Sequence, residues 1–192
     1  MFAERARMMT RGDENHMAAA SKYIMQSFQK SVSGKDKVLR DAYKSRLITW
    51  RKEHVVERID GPTNPVRARS LGYKAKKGFA VARVRIRKGR SMKTRPNKGR
   101  RPTTMGVKKL KLNKSTQQTA EEKVSRKFPN LEILNSYIVG EDGVSKFFEV
   151  IMIDPTRPEI MNDKDISWII TETRRVFRGK TSASKKTPGR QK

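Results

Sequence analysis

The sequence contains no cysteine, which removes disulfide frameworks, thiolate zinc sites and cysteine nucleophiles together. Histidine is nearly as scarce. His16 and His54 are the only two, so no close pair offers itself for a metal or for a nucleophile–base arrangement. Apolar residues make up 34% of the chain, and adding its 12 glycines still leaves it below the roughly 45–50% of an ordinary soluble domain counted with glycine. No run approaches the ~18–20 apolar residues that span a bilayer, and the N-terminal segment lacks the apolar stretch and cleavage site of a secretory signal. These absences lead us to expect an intracellular, cytoplasmic protein with one modest body, whose remaining segments find their structure on a partner.

Carboxylates are missing from one long region. Eight of the 19 acidic residues lie at or before Asp60 and eleven from Glu121 onward, so positions 61–120 carry none against 19 basic residues. Over the whole chain 46 Lys and Arg give a formal net charge of +27, and self-repulsion of that size calls for a polyanion. A solvated surface normally mixes charge of both signs, whereas a one-signed stretch suits a phosphate backbone.

The apolar residues that are present cluster into periodic runs, as folding requires. Residues 1–16 look like an extension or an upstream start, because Met17-Ala18-Ala19-Ala20-Ser21 reads as a natural beginning. Helices are expected over 18–29 and 36–52, the second striped by Leu39, Tyr43, Leu47 and Trp50. A short strand is expected over 54–59, stopped by Gly61-Pro62 and Asn64-Pro65. Over 79–87, Ala80, Ala82, Val84 and Ile86 share one parity and Arg83, Arg85 and Arg87 the other, which predicts a strand with an apolar face and an anion-facing one.

Residues 88–114 have no sustained period and read as an inserted basic arm. Ser115 and Gln118 fit a capping box opening a helix through Ala120, Val124 and Phe128. The runs 131–139 and 144–153 flank Gly140-Glu141-Asp142-Gly143 as a hairpin whose second strand is central. A short helix over 163–168 and a basic polar tail from Thr173 complete the reading. The expected fold is α/β in the α+β sense: a body over 17–172 with a small mixed sheet, flanking helices and long basic extensions that order on RNA.

Guanidinium groups suit phosphate because their planar fork donates two parallel hydrogen bonds and stays charged. Tyr73 and Phe79, inside the basic run, could stack on an unpaired base or belong to the core. Trp50 and Trp168 are expected to anchor the core. Glu141-Asp142 reads as turn chemistry and Asp163/Asp165 as helix-start residues. Gly179-Lys180-Thr181 mimics the end of a nucleotide-binding loop, but Arg174 stands where its first glycine belongs. Nothing here supports an enzyme, a bound metal or an organic cofactor; structural Mg2+, if present, is expected to be held mainly by RNA.

Four stretches carry a resemblance. Arg67-Ala68-Arg69-Ser70-Leu71-Gly72-Tyr73-Lys74-Ala75-Lys76-Lys77-Gly78, Arg95-Pro96-Asn97-Lys98-Gly99-Arg100-Arg101-Pro102, Phe128-Pro129-Asn130-Leu131-Glu132 running on to Gly143, and Arg175-Val176-Phe177-Arg178-Gly179 with Thr181-Ser182-Ala183 are together similar to large-subunit ribosomal protein fifteen of the archaeal and eukaryotic kind. The likeness covers about 17–186 and does not extend to the bacterial protein of the same number. It implies a small α/β body with extensions embedded in large-subunit ribosomal RNA, beside other ribosomal proteins and without turnover.

From charge and these motifs, the expected RNA contacts are Arg67, Arg69, Tyr73, Lys74, Lys76 and Lys77, then Arg83, Arg85, Arg87, Lys88, Arg90 and Lys93. The arm adds Arg95, Asn97, Lys98, Arg100, Arg101, Lys108 and Lys109, and the tail Arg174, Arg175 and Arg178. Two other readings compete. A DNA-compacting protein would bear similar charge, although no internal repeat is visible, and an RNA-modifying enzyme would need a constellation that the sequence does not offer.

Overall fold

The computed structural model describes residues 11–89, 96, 98–101 and 114–186. The chain runs α1 (Arg11–Ser33), α2 (Lys37–Lys52), β1 (Val56–Ile59), α3 (Pro65–Ser70), β2 (Phe79–Arg87), α4 (Thr116–Lys127), β3 (Glu132–Glu141), β4 (Ser145–Ile153), α5 (Pro158–Met161), a 3-10 helix (Ser167–Thr171) and α6 (Ser182–Lys185). The first helix continues unbroken across Met17, beginning before the expected boundary.

Local chemistry sets the element starts. Asp36 accepts from the Val38 and Leu39 amides at 3.0 and 3.3 Å and opens α2. Ser115 Oγ accepts from the Gln118 amide at 3.1 Å and opens α4, as the sequence predicts. These caps satisfy amides that the helices themselves leave without partners. The Asn64-Pro65 pair, expected only to break structure, instead starts α3. Asn64 caps the Arg67 amide at 3.0 Å, and Pro65 occupies the first turn, where a missing N–H costs nothing.

The strands form a sheet of order β1-β2-β4-β3, antiparallel throughout rather than mixed. The central strand β4 is the Phe-, Val- and Ile-rich run 145–153, buried at all but Lys146. The hairpin is tighter than expected: Gly140 and Glu141 remain in β3. Tyr43 explains the glycine, since a Cβ at Gly140 would lie 2.5 Å from the Tyr43 hydroxyl. At Gly78, φ of +93° and Ile160 Cγ1 at 2.6 Å from a Cβ position demand glycine twice over.

Both sheet faces are covered. On one, Ala82, Val84 and Ile86 of β2 pack with Phe148, Val150 and Met152 of β4 beneath Ala120 and Val124 of α4 and Val176. On the other, Leu47 and Trp50 of α2 and Ala68 of α3 meet Tyr137, Phe147 and Ile151. The Trp50 and Phe147 rings are 5.4 Å apart. Burying a large apolar side chain contributes roughly 1.5–3 kcal/mol, so the α2 stripe holds that helix to the sheet. A third cluster, Ile153, Ile160, Ile166 and Ile169, ties the segment after β4 onto the sheet's end.

Three expectations change. Trp168 is 44% exposed, outside the core. The predicted helix over 163–168 becomes a turn followed by the 3-10 helix. Residues 173–186 pack against the body: Val176, Ala183 and Ser184 are buried, and the Thr181 hydroxyl donates to the buried Glu121 carboxylate at 2.6 Å. Sparse apolar residues at the right places anchor this nominal tail.

Candidate nucleic-acid interface

The arginine face of β2 is the largest departure from the sequence reading. Of its three arginines Arg83 does not look onto open solvent, because Trp50 and Glu53 at the end of α2 lie against it. Arg83 is 12% exposed, donates to Glu53 Oε2 from Nη2 at 2.6 Å and from Nε at 3.2 Å, and lies 4.7 Å from the centre of the Trp50 ring. Arg85 donates to the Arg51 carbonyl. Arg87, at the strand's end, is exposed and has no ion pair or side-chain hydrogen bond among the described residues. The expected anion-facing strand is therefore covered at Arg83, while Arg85 borders an open cleft and Arg87 is exposed at the strand's end.

The motif over 67–78 divides in the same way. Arg67 and Arg69 stand exposed on α3 and Lys77 on the following turn, with no side-chain ion pair among the described residues. Lys74 and Lys76 turn inward. The Lys74 ammonium donates to both oxygens of Asp163, at 3.1 and 2.9 Å, and to Asp165 at 2.9 Å. The Lys76 ammonium donates to Asp163 and to the Glu159 carbonyl, the latter at 3.0 Å. Lys76 and then Lys74 hold the Asp163 carboxyl well below the usual carboxylate range. Asp163 and Asp165, read as helix-start residues, thus tie the motif to the segment after β4. Tyr73 packs edge-on against Phe79, ring centres 5.8 Å apart, on the α2 side of the sheet.

At the ends of the arm, Lys88 pairs with Glu141 at 3.2 Å and Lys114 with the nearly buried Glu122 at 2.8 Å. Lys98, Arg100 and Arg101 are exposed. Arg90, Lys93, Arg95, Asn97, Lys108 and Lys109 lie outside the described residues.

In the C-terminal segment Arg175 is a structural bolt. It is 7% exposed, and its guanidinium donates to the carbonyls of Ile133, Leu134 and Lys180 at 2.6, 3.3 and 3.3 Å. It also stacks 4.6 Å from the Trp168 ring centre. Burial pushes its pKa down. Arg174 is exposed, with φ of +51° fixed by its amide donating to Glu132 at 2.7 Å. Arg178 is exposed, 3.6 Å from Glu172.

Carboxylates from elsewhere in the fold therefore reach into the acid-free segment and neutralise some of its cations. Arg67, Arg69, Lys77 and Arg87 keep theirs for solvent or a ligand. Sequence reasoning missed Arg51 and Lys123, basic residues of α2 and α4 that line an open cleft with Arg85 and Arg87. Charge alone does not distinguish them from other helix cations; the fold brings them together. Among the described residues no group of three or more His, Asp or Glu side chains could hold a metal, and no helix is long and apolar enough to cross a membrane.

This is the build of a cationic, structural α+β protein: a small packed sheet with unneutralised arginines and lysines outside it. The family model for ribosomal protein L15, in its e-type form, matches residues 19–192, and the chain belongs to that family. Its members are structural proteins of the large ribosomal subunit that act in translation, and RNA binding is typical of them.

Proposed function

We propose that this chain binds and stabilises large-subunit ribosomal RNA by setting its unpaired cations against phosphates, and so supports assembly of the subunit in the cytoplasm. The body docks, and the 88–114 arm orders between RNA helices that could not otherwise approach. Neighbouring large-subunit proteins share the site. The chain performs no turnover and needs no cofactor of its own; Mg2+ at the contact is held mainly by RNA.

The observation that carries this reading is the acid-free stretch 61–120 with its 19 cations, of which Arg67, Arg69, Lys77 and Arg87 find no carboxylate among the described residues. If eight cations met phosphates, counterion release at about 0.7–0.9 per contact would give a salt slope near −6. Phosphate contacts of this kind position a protein on RNA, whose shape rather than base sequence is read. Reversal of Arg95, Arg100 and Arg101 to Glu tests the arm. The account expects impaired subunit assembly with the fold intact by circular dichroism, and unchanged assembly would refute the arm's role.

A further inference from the structure

Where β2 ends and the arm departs, the chain forms an open cleft of about 650 Å³. On the order of twenty water molecules at ~30 Å³ each would fill such a space, so it suits a length of polymer backbone better than a single ion. Its walls come from elements far apart in sequence: Arg51 at the end of α2, Arg85 and Arg87 of β2, Lys123 of α4, and the turn between β3 and β4. Four cations face one carboxylate, Asp142.

That carboxylate is already committed. Asp142 accepts from the Val144 and Ser145 amides at 2.8 and 2.5 Å and pairs with Arg51 at 3.0 Å, so it holds the turn together and offsets only one charge. Arg85 is positioned by the Arg51 carbonyl, which leaves the rest of its guanidinium edge to the cleft. Arg87 and Lys123 have no ion pair or side-chain hydrogen bond among the described residues. Val55 and Val144, 43% and 58% exposed, supply apolar rim beside the charges. Such a mixture fits a sugar–phosphate chain, with ribose against the valines and phosphates against the guanidinium forks.

The adjoining arm cannot supply the missing countercharge, since 88–114 holds no acidic residue. The structure therefore points to an external polyanion, and we infer that this cleft is a docking site for the phosphodiester backbone of ribosomal RNA at the root of the arm, with Arg87 and Lys123 as its principal phosphate ligands. The inference rests on the RNA-binding reading above and adds to it a place and two residues, one of them outside the acid-free stretch.

The test uses the full chain and deproteinised large-subunit RNA, with affinity measured across a salt series. Replacing both ligands, Arg87→Gln with Lys123→Gln, should flatten the slope of log affinity against log salt by about 1.4–1.8, two contacts at ~0.7–0.9 each. An unchanged slope, with wild-type binding intact, overturns the cleft and leaves the functional reading standing. If the wild type does not prefer this RNA to duplex DNA, both fall. Amine acetylation followed by mass spectrometry gives a readout free of variant folding. Lys123 should be protected in native subunits and exposed after ribonuclease digestion. Protection that survives digestion assigns the cleft to a protein partner and overturns the proposal, as does equal labelling throughout.

Discussion

Tyr137 on β3 and Glu149 on β4 stand directly opposite each other in the sheet, and the tyrosine hydroxyl donates to Glu149 Oε2 at 2.5 Å in a buried setting. The same carboxylate accepts from the Thr63 amide at 3.0 and 3.3 Å and from the Thr63 hydroxyl. The loop before α3 is thereby tied to the middle of the sheet, and α3 carries Arg67 and Arg69 outward.

Tyr137→Phe should destabilise the chain by about 1–3 kcal/mol, the usual cost of leaving a buried polar group short of a partner. Urea denaturation reads this directly. A change within error would mean that the Thr63 bonds alone satisfy the carboxylate.

Burial raises the pKa of Glu149, as it does that of Glu121, above the ordinary value of 4.5. Between 4.5 and the raised folded value, the folded chain holds a proton that the unfolded chain has released. This contribution to stability is therefore full below pH 4.5 and is lost as pH rises through the folded pKa. Glu149→Gln removes one such group. Across a pH series, the stability of the wild type relative to this variant should decline as pH rises from 4.5, and a constant difference would contradict the assignment.

Asp163 works in the opposite sense. Its folded pKa is lowered, so its contribution is present above its ordinary value of 3.8 and is lost as pH falls through the folded value. Asp163→Asn removes the carboxylate that the two ammonium groups share, leaving Lys74 paired with Asp165 and Lys76 on the neutral Glu159 carbonyl, so that Lys76 loses its carboxylate. We expect a small loss of stability at neutral pH, as for other partly exposed ion pairs. The salt slope on ribosomal RNA should steepen by roughly 0.7–0.9 for each lysine that reaches a phosphate. A slope that stays the same would show that neither Lys76 nor Lys74 moves onto RNA.

Gly140→Ala places a Cβ 2.5 Å from the Tyr43 hydroxyl and 3.2 Å from its ring. Overpacking of this kind costs on the order of 1–3 kcal/mol. In a Tyr43→Phe background the hydroxyl clash is gone, so the two substitutions together should cost less than the sum of their separate costs. Additive costs would place the strain elsewhere.

Much of the fold was legible because its signals are local. The Leu39, Tyr43, Leu47, Trp50 stripe, the Ser115 cap and the apolar run 145–153 each state their element within a few residues. What escaped depends on tertiary contacts. Alternation in β2 correctly marks a strand, but alternation cannot reveal that α2 lays Trp50 and Glu53 over Arg83. Asn64-Pro65 reads as a break, yet β1 has already ended at Ile59 and the pair opens α3. A basic run likewise does not disclose which lysines meet carboxylates 87 and 89 residues away: Lys74 and Lys76 look the same as Lys77 until Asp163 is placed. Arg175 reads as one more cation of a tail, and only the carbonyls of β3 turn it into a bolt. The cleft at the root of the arm, assembled from α2, β2, α4 and a turn, has no signature in any one segment.

The central claim is that this chain works as a component of the large ribosomal subunit held through RNA. The most direct measurement is sucrose-gradient sedimentation of cell lysate at low and moderate salt, with the protein followed by mass spectrometry. The account predicts that it travels with the large subunit and remains there at moderate salt. Sedimentation with DNA, or recovery at the top of the gradient, would contradict it.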